Sequence, residues 1–197
     1  MKRIHLLTMA LIAMTTITQA QWTVGVGAGP SFPITGYGQV IEPGMNIFNL
    51  HGNQQVKSGP IRLGMNIQMS RFAKDKNPDD AFYETKITVA PVLFTIDYTF
   101  CHDCDWQPYV SAGIGLSFYV VSYNSSPDTI DEQSDFNTNF TMMPKAGLRY
   151  RASEHIYPFI ETGLVTLMDG PPVEFPEGYN VTGYQFVALG VSYTFNK

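Results

Sequence analysis

Residues 187–197 read VALGVSYTFNK. In an extended chain Val187, Leu189, Val191, Tyr193 and Phe195 fall on one side, and Ala188, Gly190, Ser192 and Thr194 on the other. Alternation with period two predicts a half-buried β-strand. If the apolar row packs on a protein core, the small polar row meets water. If the apolar row meets lipid, the small polar row becomes the interior. The rest of the chain decides between these two folds.

The same alternation recurs, and helical periodicity is scarce. In IRLGMNIQMS, Ile61, Leu63, Met65, Ile67 and Met69 oppose Arg62, Gly64, Asn66, Gln68 and Ser70. In YVSAGIGLSFYV, the row from Val110 to Val120 is apolar and the row from Tyr109 to Tyr119 is rich in Gly and Ser. In NFTMMPKAGLRY, Phe140, Met142, Ala146 and Leu148 oppose Asn139, Thr141, Lys145 and Arg149. Eight strands are expected, at about 22–32, 44–51, 59–72, 84–100, 107–122, 138–151, 156–168 and 181–195, the second having the weakest pattern. Ala90-Pro91 interrupts the fourth. Ile87 and Val89 share a parity, and beyond the proline Val92, Phe94, Ile96 and Tyr98 take the other, so a bulge is expected there. Connections alternate between short ones (HGNQQVKS, CHDCDW, ASEH) and long ones rich in Pro, Gly, Asn and Asp.

One face gathers Gly25, Gly27, Gly29, Gly64, Gly113, Gly115, Gly147, Gly163 and Gly190 with Arg62, Asn66, Gln68, Asp97, Lys145, Arg149 and Glu161. The other is nearly free of charge. Turned toward water, the first face would be a surface of Gly, Ser and Thr poorer in Lys and Glu than soluble proteins carry. Turned inward, its glycines let a narrow barrel close around larger neighbours and its charges pair. The expected fold is therefore all-β, an eight-stranded antiparallel up-and-down transmembrane β-barrel. Aromatics near strand ends (Trp22, Phe72, Phe100, Trp106, Tyr150, Tyr193, Phe195) are expected to form interfacial girdles.

The N-terminus reads MKRIHLLTMALIAMTTITQA. Lys2 and Arg3 precede an apolar stretch shorter than a bilayer span, and Ala20 offers a small residue at a cleavage point. A cleaved signal peptide is expected over 1–20, followed by one barrel domain over 21–197. Removing those residues shortens the chain from 197 to 177 and takes its net charge from −5 to −7. An acidic chain without a basic cluster argues against nucleic acid as a partner.

Gly190, Tyr193 and Phe195 now take on meaning. With the signal peptide and the eight strands they resemble the C-terminal assembly signal of the small OmpA/OmpX-like bacterial outer-membrane barrels. The sequence departs from that pattern at Ala188, and Asn196-Lys197 trail the last aromatic. The resemblance implies residence in the bacterial outer membrane, contact with its lipid, insertion by the barrel assembly machinery, and long loops outside the cell. It leaves three roles open. The first is a monomer with a structural or cell-surface role, a sealed polar lumen, acidic extracellular loops and an unknown extracellular ligand. The second is a narrow channel or binding cup for small solutes, and the third a lipid-modifying enzyme.

Few residues suggest chemistry. Cys101-His102-Asp103-Cys104 is compatible with a disulfide, free thiols, or a redox or metal site. No second ligand pair accompanies it, no helix opens at it, and no His follows the second Cys directly. In an oxidising periplasm a turn-stapling disulfide between Cys101 and Cys104 is the expectation. His51, His102 and His155 all lie near expected periplasmic turns. Lipid-modifying barrels use a Ser–His pair, and only Ser153 near His155 offers one locally, inside a tight turn. Asp128, Asp131, Glu132, Asp135, Asp169, Glu174 and Glu177 make the long loops acidic, without the spacing of an EF-hand. No cofactor or catalytic residue is expected. The interior charges Arg62, Asp97, Lys145, Arg149 and Glu161 are expected to form one paired cluster in the lower lumen, with Lys145 opposite Glu161.

Overall fold

A computed structural model describes residues 21–35, 42–56, 59–73, 84–124, 133–168, 173–174 and 180–195. Eight long strands are present among them: β1 (Trp22–Thr35), β2 (Gly44–Gln55), β3 (Ile61–Ala73), β4 (Glu84–Thr99), β5 (Trp106–Asn124), β6 (Gln133–Tyr150), β7 (Ile156–Met168) and β9 (Asn180–Phe195). A two-residue strand, β8 (Val173–Glu174), pairs only with β9. Each long strand lies antiparallel to its neighbour in the sequence, and β1 pairs with β9, Trp22 opposite Phe195. The sheet thus closes into an eight-stranded barrel without a free edge. Both described chain ends lie on the side of the short turns. The expected signal peptide at 1–20 falls outside the described residues.

The apolar row of each strand faces outward. Phe94 is 69% exposed and Leu189 64% exposed, while Thr95, Asp97, Ala188 and Ser192 are buried. An exposed belt of this kind is stable only against lipid. The opening segment follows suit: Leu189, Val191, Tyr193 and Phe195 point out, and Ala188, Ser192 and Thr194 point in. At the short-turn end the outer aromatics meet in pairs, Tyr98 with Phe100 at 5.3 Å, Trp106 with Tyr150 at 4.7 Å and Tyr193 with Phe195 at 4.9 Å. Phe72 does not join a girdle. It points inward, 2% exposed, its ring 5.4 Å from that of Tyr184.

Three local expectations are corrected. No bulge occurs at Ala90-Pro91, where the β4–β5 register runs unbroken from Glu84 to Thr99. Ile87, Val89 and Leu93 all face inward with Thr95 and Asp97. The apparent change of face is a change of chemistry along one inner row. Pro91 has no N–H to donate, and the β3–β4 ladder skips Gln68-Met69 opposite Ala90-Pro91 without changing register. A real irregularity lies in β2 instead. There the pairing shifts between Asn46 and Phe48, so Ile47 and Phe48 both point out while Asn46 and Asn49 both point in. Finally, several strands are longer than the pattern suggested. β2 continues to Gln55, and β5 and β6 pair as far as Tyr123 opposite Gln133, well into the segment read as a loop.

The interior has two layers. Polar and charged side chains fill the half near the short turns. Above them Phe72, Ile87, Val89, Leu93, Tyr119, Val121, Met143, Val165, Tyr184 and Phe186 form a buried apolar cluster.

Candidate functional site

The polar half of the lumen is where the chain concentrates its chemistry. Lys145 and Arg149 project inward from β6, Glu161 from β7, Asp97 from β4 and Arg62 from β3, all 8% exposed or less. Inward parity on neighbouring strands gathers them. Lys145 Nζ donates to Glu161 Oε2 at 3.0 Å, and Arg149 Nη2 to Asp97 Oδ2 at 2.9 Å. The four side chains in these two pairs are no more than 1% exposed. The Lys145–Glu161 contact is diagonal. In register Lys145 faces Gly163 and Glu161 faces Gly147, two residues from the expected pairing, and the long ammonium side chain spans the offset. Arg62 faces Asp97 across β3–β4.

Alternation places Asn66 and Tyr109 on the inner face, but it does not single out Asn49 and Asn53 among the neutral partners. Glu161 accepts from Asn49 Nδ2 at 2.5 Å and from the Tyr109 hydroxyl. Asn66 Nδ2 donates to Asn49 Oδ1 at 2.6 Å, and Asn53 Nδ2 to Asp97 Oδ2 at 3.0 Å. The Arg149 guanidinium lies over the Tyr109 ring, 3.9 Å from its centroid, a cation–π contact linking the two pairs. His51, expected near a turn, stands in mid-barrel. It is 1% exposed and packs edge-on against Phe159 at 5.1 Å. Glycines make the room: a Cβ on Gly147 would lie 2.6 Å from the Tyr109 hydroxyl, and one on Gly25 would strike the His51 ring. The β2 bulge hid this group, because it moves the inward row from Asn46 to Asn49, His51 and Asn53. The signal present in the sequence was the odd-numbered run of polar side chains after Phe48.

The remaining candidates stand apart from the lumen. Gly190 faces inward beneath Phe159, while Tyr193 and Phe195 sit on the outer wall. Ser153 Oγ accepts from the backbone N–H of His155 at 3.3 Å and of Ile156 at 3.1 Å, and His155 Nδ1 lies 3.0 Å from the Thr194 carbonyl oxygen. Both side chains thus tie down the turn. Among the described residues no group of three His, Cys, Asp or Glu is placed to hold a metal. The acidic loop residues lie outside the described residues except Asp135 in β6 and Glu174 in β8.

Cys101 and Cys104 are joined in the β4–β5 turn, their Cα atoms 5.5 Å apart. The turn is also held without them. Gln107 Nε2 donates to the carbonyls of His102 at 2.8 Å and Cys104 at 3.2 Å, and Arg151 Nη2 to that of His102 at 3.0 Å. So short a loop gains little chain entropy from a crosslink. A Cys101→Ser/Cys104→Ser variant is therefore expected to keep its barrel and unfold within about 2 kcal/mol of the parent. Alkylation of the unreduced, denatured parent checks the bond itself. No label is expected, and two labelled cysteines would contradict it.

Comparison with known proteins gives a consistent picture. A model of the outer membrane protein beta-barrel domain matches residues 5–195. No curated protein matches the chain. Among solved structures, Neisserial surface protein A superposes with a TM-score of 0.63 at 14% identity, over 88% of this chain and 97% of its own. Ail of Yersinia pestis, solved with the heparin analogue sucrose octasulfate, gives 0.60 at 11%, over 90% and 100%. OprG of Pseudomonas aeruginosa gives 0.61 at 11%, over 91% and 97%. At these identities the likeness is one of fold.

Proposed function

Because the chain belongs to the outer membrane protein beta-barrel domain family, we propose that it is a sealed, monomeric barrel with a structural or cell-surface role. It is an outer-membrane protein embedded in lipid, and its polar interior serves as a core. One observation carries this reading. The Lys145–Glu161 and Arg149–Asp97 pairs lie inside the lumen with their side chains buried, bridged by Tyr109, and Asn49 and Asn53 reach them from β2. An eight-stranded barrel is just wide enough for such side chains to fill it. The apolar layer above adds a second packed obstruction for ions.

The competing roles have less support. A channel needs a continuous wet path through both layers. A lipid-modifying enzyme needs a nucleophile and a base aimed at each other, and Ser153 and His155 are engaged with turn backbone instead. The extracellular ligand remains part of the proposal. Sucrose octasulfate, present with Ail, is a polyanion, whereas the long loops here carry Asp128, Asp131, Glu132, Asp169 and Glu177. Like charges repel, so a neutral or cationic surface ligand suits this chain better. Planar-bilayer recording tests the role: a sealed barrel gives no stable current steps, and a channel does.

Maturation belongs to the same proposal. Export followed by cleavage after Ala20 leaves Gln21 first, one residue before β1 begins at Trp22. Intact-mass analysis of protein extracted from outer membranes is expected to give a chain starting at Gln21. A mass that includes residues 1–20 would contradict the cleavage.

A further inference from the structure

The lower lumen holds more positive than negative charge. Among the described residues the buried cations are Arg62, Lys145 and Arg149, and the buried carboxylates are Asp97 and Glu161. Three cations against two carboxylates leave one positive charge over. His51 is not negative in either of its protonation states, and the Tyr109 hydroxyl keeps its proton to donate to Glu161. An uncompensated charge inside a wall that faces lipid is costly, because hydrocarbon supplies no counterion.

The excess has a location. Lys145, Tyr109 and Asn49 occupy both oxygens of Glu161. Asp97, by contrast, is approached by two guanidiniums. Arg149 Nη2 donates to its Oδ2 at 2.9 Å, and Arg62 stands opposite it in the β3–β4 register without a hydrogen bond to either oxygen. A single carboxylate cannot neutralise both. Arg149 also has donors to spare, since its Nε and Nη1 are buried and donate to no described residue. Arg62 is within electrostatic range of Arg149 and of the Tyr157 hydroxyl. It is the most exposed of the five buried charges and the second residue of β3, so the group opens toward the short-turn end.

From this charge balance and placement we propose that a small monovalent anion, of the size of chloride, is held in the lower lumen between the Arg62 and Arg149 guanidiniums. Its charge equals the excess. Guanidinium N–H groups are weakly hydrated donors that bind anions well at buried sites. A lumen filled by side chains leaves no room for a bulky anion. The attraction is local, because the chain as a whole carries a net charge of −5. The ion enters from the short-turn end and stops beneath the apolar layer. Once bound it is part of the core.

Urea unfolding of the barrel in zwitterionic lipid vesicles tests this, with gluconate replacing chloride at constant ionic strength. One anion held by the folded barrel and none by the unfolded chain has a defined signature. Above the dissociation constant, each tenfold rise in chloride lowers the unfolding equilibrium constant about tenfold. Arg62→Gln leaves two cations facing two carboxylates. Its chloride dependence is expected to vanish, and in gluconate it is expected to unfold less readily than the parent. Arg62→Lys keeps the charge and most of the dependence. Crystals grown in bromide locate the ion: an anomalous-scattering peak is expected within hydrogen-bond reach of both guanidiniums. A parent whose unfolding ignores chloride would overturn the proposal, and that arm needs no variant. So would a dependence that survives in Arg62→Gln, or bromide found only away from the two arginines. These readouts report folding and position rather than current, so they stand apart from whether the lumen conducts.

Discussion

Replacing Glu161 with alanine is expected to destabilise the barrel by about 3–5 kcal/mol, the usual cost of removing one member of a buried ion pair. The carboxylate is fully engaged, receiving Asn49 on Oε1 and Lys145 and Tyr109 on Oε2. Its loss leaves an ammonium, an amide and a hydroxyl in a space that none of them can leave, since the surrounding wall faces lipid. Replacing both charges is a different experiment. In Lys145→Met/Glu161→Leu no charge is stranded, and apolar groups of similar volume often substitute for a buried pair at little cost. The double variant is therefore expected to recover most of the stability lost by Glu161→Ala. Urea unfolding of the barrel in lipid vesicles measures all three proteins. A loss below about 1 kcal/mol for Glu161→Ala would mean that the pair is merely hydrated and contributes little to the fold.

The second large effect concerns assembly. Phe195→Ser is expected to lower the amount of folded barrel in cells several-fold while changing the stability of the purified barrel much less. Phe195 is 54% exposed on the outer wall and touches Tyr193 edge-on at 4.9 Å, so its removal opens no cavity in the interior. In our proposal its value lies in recognition: Gly190, Tyr193 and Phe195 end the last strand, which closes the barrel against β1. Comparing heat-modifiable barrel in outer-membrane fractions with unfolding of the refolded variant separates the two roles. Unchanged yield in cells would refute recognition, and equal losses in yield and stability would reduce it to ordinary packing.

The sequence made the barrel legible because lipid-facing strands obey a strict parity over long stretches. Val110–Val120 and Ile61–Met69 could be assigned to the outer face residue by residue, and the closing strand with them. Parity also gathered Arg62, Asp97, Lys145, Arg149 and Glu161 on one inner wall. It reached no further where the ladder itself departs from regularity. Ile47 and Phe48 both face outward, so the rows on either side of them have opposite parity, and Asn49, His51 and Asn53 read as the approach to a turn. The register at the β6–β7 turn was two residues off, since turn geometry sets it and several turns fit Ser153-Glu154.

Composition misleads in a second way. An apolar inner layer has the same composition as lipid-facing wall, so Ile87 and Val89 suggest a change of face at Pro91, and Phe72 suggests a place in a girdle. Strand ends were harder still. Polar residues at Tyr123 and Gln133 continue the β5–β6 ladder, where backbone pairing persists without an apolar row to mark it.

The claim that the polar lumen is a core is tested most directly by recording single-channel current from the purified wild-type barrel in planar lipid bilayers. The charge pairs, the tyrosine between them and the apolar layer above predict a flat baseline at applied voltages of either sign, once insertion has been verified by heat-modifiability of the same preparation. Large, stable current steps that recur with each insertion would contradict the account and make the protein a channel.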